Sequence, residues 1–183
     1  MSTLEKAKKL LRSHLAKEYQ DIIVAVDLDG EPGCHSVMSW DSNSGKSSED
    51  VLSRLEALPS IAEQGLSNCC KDISNAGLLG TVSIMMENSG KGAIIDIERI
   101  PIPAGIGILP WCLSFQGYGF VLSADKKDTA KILEIFKNKN IAASIIGHVT
   151  KDRKVLLKQN NQEEVLFDFA SEKITGISCI NEY

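Results

Sequence analysis

The residues best suited to chemistry stand together in Cys69-Cys70-Lys71-Asp72-Ile73-Ser74-Asn75-Ala76-Gly77-Leu78-Leu79-Gly80. The run reads as a short polar strand end that turns straight into a helix. Leu78, Leu79, Val82, Met85 and Met86 then recur at helical spacing, so one face of that helix is apolar. Ser74 or Asn75 can cap it, and Gly77 and Gly80 remove side chains where the first turn faces outward. Free N–H groups at a helix start, small residues and a neighbouring carboxylate together suit a phosphate or a metal-bound phosphate. Asp72, at the mouth of this turn, is the best single carboxylate for that chemistry. The same residues also suit an ordinary capped helix whose glycines allow close packing.

Other candidates are weaker. Asp27, Asp29 and Glu31 alternate at the end of an apolar run, which puts three hard oxygen ligands on one side of the chain. A solvated acidic turn accounts for them more readily. Ser44-Gly45-Lys46-Ser47 has the last residues of a phosphate-binding loop, but position 40 is Trp40 where that loop needs glycine. His35 lies in a polar loop as a possible acid or base, while His14 and His148 read as structural. The G-x-S-x-G elbow and H-E-x-x-H are absent. Gly105-x-Gly107 lies between prolines and does not meet the dinucleotide fingerprint.

The elements that must position these residues follow from punctuation and periodicity. Leu4, Ala7, Leu10, Leu11 and Leu15 predict a helix over residues 3 to 18, and Asp21 to Leu28 a buried strand. Residues 29 to 48 read as one long loop. A helix is expected from Ser48 to Leu58, capped by Ser47 or Ser48 and ended by Pro59, then a short helix to Gly65. The central helix spans about 75 to 88 and stops at Asn88-Ser89-Gly90. Strands are expected at Gly92 to Ile97, Gly119 to Ser123 and Ala142 to Val149, and a helix from Asp125 to Asn138. Lys154 to Gln159 and Glu164 to Phe169 form a hairpin turning at Asn160-Asn161. Three prolines keep Ile100 to Leu113 from being one regular helix. The tail from Ser171 is expected to fray at Cys179 to Tyr183. Interleaved helices with a terminal hairpin predict an α+β fold, a mixed and largely antiparallel sheet with helices packed on it.

Composition narrows the function classes. The 183 residues carry a net charge of −4, 43% hydrophobic and 5% aromatic residues. An acidic chain poor in aromatics argues against nucleic acid and anionic membrane as partners. Five cysteines without a C-x-x-C motif suit reduced thiols. The charged N-terminus lacks the apolar stretch of a signal peptide, so a cytoplasmic setting is expected.

One order of motifs carries a resemblance. Lys71-Asp72-Ile73-Ser74-Asn75-Ala76-Gly77-Leu78 is followed by Ser89-Gly90-Lys91-Gly92-Ala93 and Ile100-Pro101-Ile102-Pro103. Gly119-Phe120-Val121-Leu122, Ile141-Ala142-Ala143 and Ile146-Gly147-His148-Val149 complete it. Over about residues 20 to 177 the chain resembles the C-terminal domain of the AIR synthase (aminoimidazole ribonucleotide synthetase) superfamily. That superfamily includes formylglycinamidine ribonucleotide synthase, thiamine-monophosphate kinase, selenophosphate synthetase and a hydrogenase maturation protein. Ser39-Trp40-Asp41 is nearest to an AIR synthase-related subgroup.

The resemblance implies a two-domain subunit that binds ATP and Mg²⁺ and transfers a phosphoryl group, often within a dimer. It implies a ligand-facing role, at an interdomain cleft, for the motif positions Asp72, Ser74 and Gly77. Asp72 is then the candidate catalytic residue and Mg²⁺ ligand, and Lys71, Ser74, Asn75 and Gly77 the candidates for binding a small-molecule phosphate ligand. Asn75 stands where many relatives carry an acidic residue or glycine, and an amide offers no base there. The family's N-terminal nucleotide-binding half is not in this sequence. Residues 1–19 are instead expected as a helix or linker and 20–183 as the AIR synthase C-terminal-like domain. Two readings follow: a cleft-forming half of an ATP-dependent enzyme that works with an N-terminal domain or separate chain, or a ligand-binding or regulatory module without turnover. Self-association, as a homodimer, is a further expectation.

Overall fold

Ile22, Ile23, Val24, Ala25 and Val26 are all fully buried, which explains why their run is continuously apolar rather than alternating. A computed structural model describes residues 9–33 and 38–177. In chain order the elements are β1 (Asp21–Val26), β2 (Glu31–Pro32), β3 (Ser39–Asp41), α1 (Ser48–Leu55), α2 (Ala57–Glu63), β4 (Cys69–Asp72), α3 (Gly77–Ser89) and β5 (Gly92–Asp96). A single 3-10 turn at Ile97–Arg99 leads to α4 (Ile108–Leu113), β6 (Phe115–Gln116), β7 (Gly119–Ala124), α5 (Lys126–Lys137), β8 (Ala142–Thr150), β9 (Lys154–Gln159) and β10 (Gln162–Asp168).

Seven strands form the main sheet in the order β10-β9-β5-β8-β1-β7-β4. Every neighbouring pair is antiparallel except β5 with β9. This is the α+β architecture that the interleaved pattern predicts. The sheet is covered on both faces. Ile22, Val24 and Val26 point into one core with Leu78, Val82, Met85 and Met86 of α3 and Trp111 of α4. Ile23 and Ala25 point into the other with Ala57 and Ile61 of α2 and Ile132 and Phe136 of α5. Each fully buried aliphatic or aromatic side chain contributes about 1.5–3 kcal/mol, so the two cores fix the position of β1 and its neighbours.

Chain punctuation explains the connections. Ser47 Oγ accepts the Asp50 N–H at 3.1 Å and starts α1. Gly90, at φ +63°, ends α3, its N–H bonded to the Glu87 carbonyl and that of Lys91 to the Met86 carbonyl. Asn160 and Asn161 both take positive φ, as a two-residue hairpin turn between β9 and β10 demands. Beyond β10, the buried Glu87 carboxylate of α3 accepts the N–H groups of Ile174 and Thr175 and the Thr175 hydroxyl, pinning that segment to the helix.

Three expectations are corrected. Residues 9–20 do not form a helix. Arg12 pairs in parallel with the free edge of β4, its N–H bonded to the Asn68 carbonyl and its carbonyl to the Cys70 N–H. An open sheet edge offers backbone partners over several residues, which outweighs the weak helical bias of the segment. Leu4 and Ala7 of the expected helix lie outside the described residues, as do His35 and the expected fraying end at Cys179 to Tyr183. The long loop at 29–48 contains two short strands, and β2, β3 and β6 form a separate three-stranded sheet. Trp40 holds that sheet to the end of β1 by donating from Nε1 to the Asp27 carbonyl at 2.9 Å. Pro59 does not end a helix but sits in the first turn of α2, where its missing N–H costs nothing. The break falls earlier, at Glu56.

Candidate functional site

β1 and β4 both run antiparallel to β7, so their C-terminal ends reach the same end of the sheet. Asp27 follows one strand and Asp72 closes the other. Their surroundings differ completely.

Asp72 is 64% exposed in its side chain. It pairs across the sheet with Phe120, on the face covered by α2 and α5. Lys71 Nζ lies 3.5 Å from its carboxylate. The two charges border an open groove of about 630 Å³, walled by Leu10 and Leu11 on one side and by Leu58 and Pro59 of α2 on the other. Phe120 and Cys70 also line it.

The turn after β4 is built by backbone rather than by side-chain caps. The Ile73 N–H donates to the Gly119 carbonyl at 2.9 Å, and the Ile73 carbonyl accepts the Gln116 N–H at 3.3 Å. The Ser74 carbonyl then accepts the Gly77 N–H at 2.8 Å. Neither Ser74 nor Asn75 caps α3; the residue before the helix is Ala76, and no side-chain cap bond is made there. Gly77 is buried at φ +65°, and a Cβ on it would stand 2.3 Å from the Cys112 carbonyl oxygen. It therefore sets the close approach of α3 to α4, a packing duty that the expectation of an outward-facing glycine did not include. Ser74 is half-buried and Asn75 exposed. Lys71, Asp72 and the Ser74–Gly77 turn are thus neighbours, but Asp72 stands on the groove side of the sheet and α3 packs on the other.

Asp27 is fully buried and its charge is met by two cations. The Arg54 guanidinium of α1 contacts its carboxylate directly, and Lys46 Nζ lies 3.6 Å away. Lys46 also lies 3.4 Å from the Asp29 carboxylate and donates to the Ser42 carbonyl at 2.6 Å. The acidic alternation at Asp27 and Asp29 therefore holds basic side chains, not a metal. The lysine of the Ser44–Ser47 run serves the same cluster. Among the described residues no three His, Cys, Asp or Glu side chains converge as a metal site. Nearby, Asp41 accepts the N–H groups of Asn43 and Ser44, each at 2.9 Å. Bonds from the Ser44 side chain and backbone and from the Asn43 backbone hold its carboxyl down at about 2.

Sequence reasoning missed Arg54 and Gln116. Arg54 reads as an ordinary basic residue in the last turn of a helix, and only the fold brings it to Asp27. Gln116 is buried beside Ile73, and its Oε1 has no hydrogen-bond partner among the described residues. Among the described residues, burial disfavours the thiolate of each cysteine. Burial pushes Cys69 and Cys70 up, and Cys112 to about 11. Among the described residues no helix is long and apolar enough to cross a membrane.

Comparison with known proteins agrees with this architecture. Residues 21–159 match the family described as AIR synthase related protein, C-terminal domain. The chain is 39% identical over 172 residues to the uncharacterized protein MJ0640 of Methanocaldococcus jannaschii, covering 93% of this chain and 53% of that protein. It is 28% identical over 178 residues to the uncharacterized protein sll0787 of Synechocystis, covering 97% of this chain and 55% of that one. The chain thus spans about half the length of these relatives. Among solved structures it superposes on phosphoribosylformylglycinamidine synthase II of Thermotoga maritima with a TM-score of 0.71 at 17% identity, over 86% of this chain and 26% of that one. T. maritima PurL complexed with ATP matches with a TM-score of 0.68 at 17% identity, over 85% and 26% of the two chains. At that identity the likeness is one of fold. The family match covers most of the chain, which belongs to the AIR synthase-related family as its C-terminal domain.

Proposed function

We propose that this AIR synthase-related domain forms one wall of a ligand cleft in an ATP- and Mg²⁺-dependent phosphoryl-transfer enzyme. The observation that carries the reading is the exposed strand end at Lys71-Asp72, set beside a groove of about 630 Å³ and followed at once by the turn into α3. That volume lies within the usual range for small-molecule sites. Its apolar walls and few polar rim groups also fit such a site. In this reading the N–H groups at the start of α3, with Ser74 and Asn75 beside them, receive a phosphate. Lys71 supplies positive charge.

Asp72 suits Mg²⁺ as a single ligand. Mg²⁺ is commonly held by one or two carboxylates together with substrate phosphates, and the metal when bound neutralises phosphate charge. Asp27 and Asp29 are occupied by Lys46 and Arg54, so they cannot complete the set without giving up that pairing. The remaining ligands would come from the nucleotide or from an N-terminal AIR synthase-like domain, whether covalently attached or a separate chain. This dependence favours a second reading for the chain on its own, a ligand-binding or regulatory module without turnover.

The test is titration calorimetry of this chain with ATP and ADP, with and without Mg²⁺. Micromolar, Mg²⁺-dependent binding that weakens in Asp72→Ala supports the site. No binding at millimolar nucleotide removes the nucleotide site from this chain alone. Turnover unchanged by Asp72→Ala, in an assembly containing the N-terminal half, would sink the catalytic role.

A further inference from the structure

Helix α1 is attached to the molecule in an unusual way. It buries no side chain, whereas α2, which follows it directly, buries Ala57, Ile61 and Ala62. Its leucines face outward, Leu52 at 63% and Leu55 at 43% exposure. Its attachments are polar instead. Arg54 binds the buried Asp27 carboxylate. The Arg54 carbonyl accepts the Tyr118 hydroxyl at 3.0 Å. Lys139, just past the end of α5, reaches Ser53 Oγ at 3.2 Å and the Glu56 carboxylate, just past α1, at 2.9 Å.

The segment has a natural pivot at each end. Gly45 precedes it at φ +80°, with nothing within 4 Å of where a Cβ would stand. Glu56 follows it, at the break between α1 and α2. Lys46 precedes the helix and Arg54 lies in its last turn, and both converge on Asp27. One buried carboxylate therefore fastens the whole segment 46–54 to the end of β1.

We propose that α1 is a hinged cover latched by Asp27, which swings on Gly45 and Glu56 to bare Tyr118, the residue that backs the groove-lining Phe120. Tyr118 is covered by α1, and its ring packs edge-on against Phe120, which lines the groove, with centroids 5.1 Å apart. Opening exposes little new apolar surface on α1 itself, where Val51 is half-buried and both leucines already meet solvent. It parts the buried Asp27 from two cations that are themselves only 11% and 14% exposed, so these pairs are what hold the cover shut, and because α1 buries no residue fully the opening is local rather than global. The cover operates whether or not the groove takes a nucleotide.

Amide hydrogen exchange on the whole chain tests this. In Asp27→Asn, and separately in Arg54→Met, the amides of residues 51–56 are expected to exchange about tenfold faster or more, while those of α3 stay within about twofold of the original protein. Acceleration confined to residues 51–56 in either variant sustains the latch. If each variant leaves α1 unchanged, or accelerates α1 and α3 together, then α1 opens only with the whole domain and the proposal is overturned.

Discussion

Asp27 follows the end of one strand and Asp72 closes another beside the same neighbour, yet one is sealed under two cations and the other stands 64% exposed with a single lysine beside it. A buried carboxylate that is paired and hydrogen-bonded holds structure together, because removing its partners would strand a charge in a poorly solvating place. An exposed carboxylate at a strand end contributes little to stability and is free to meet a ligand. The same residue type at the same end of one sheet is thus given opposite duties by what packs over it. Helices α1 and α2 explain the difference: α1 brings Arg54 down on Asp27, while α2 stops at the far wall of the groove and leaves Asp72 uncovered.

Four changes sharpen or break that contrast. The largest effect is expected at Gly77, where the exposed side of the comparison meets the core. Gly77→Ala forces a Cβ against the Cys112 carbonyl at a positive φ and should lower the urea-unfolding free energy by about 3 kcal/mol. A cost below about 1 kcal/mol would show that α4 yields easily, so that Gly77 does not set the helix approach. Next comes Asp27→Ala, expected to lose about 2 kcal/mol or more in the same measurement. A neutral result would place Asp27 with Asp72 as a dispensable surface group.

Asp72→Ala should change unfolding by no more than about 0.5 kcal/mol, while weakening Mg²⁺-dependent nucleotide binding about tenfold. A stability loss like that of Asp27→Ala would collapse the contrast from the other side. The smallest effect is one of pH. The Asp41 carboxyl is held at about 2 against an ordinary 3.8. Its depressed value means its contribution is complete above the ordinary value and lost as pH falls toward 2. The Asn43 and Ser44 amides should therefore lose exchange protection across that interval, and titration of Asp41 by NMR at its ordinary value would contradict the loop geometry.

Much of the fold was legible in the sequence. The apolar run of β1, the Ser47 cap, the Gly90 stop and the Asn160-Asn161 hairpin are local signals, and each follows from a backbone or side-chain preference within a few residues. The order of motifs from Lys71 to Val149 pointed to the AIR synthase superfamily, and the family match and fold comparison agree. The missed features share a cause: each depends on a partner distant in the chain. Residues 9–20 have leucines at helical spacing but found a sheet edge at Cys69 and Cys70. Trp40 looked like a loop residue until Trp111 met it edge-on at 5.5 Å. Ser74 and Asn75 are good capping residues, yet Gly77, pressed against α4, turns the chain before either side chain can cap.

The sequence by itself determined where most of the helices and the main-sheet strands run, because burial periodicity and turn chemistry are written over short stretches of chain. It also determined which residues carry charge at the strand ends. Only the tertiary structure decided what those charges do. Whether an aspartate is a latch or an open ligand depends on which cations and apolar walls the folded chain brings within a few ångströms. Arg54 lies 27 residues from Asp27 in the sequence, and no local rule connects them. Coulombic attraction and desolvation depend on distance in space, and that distance exists only once the sheet and its covering helices have formed.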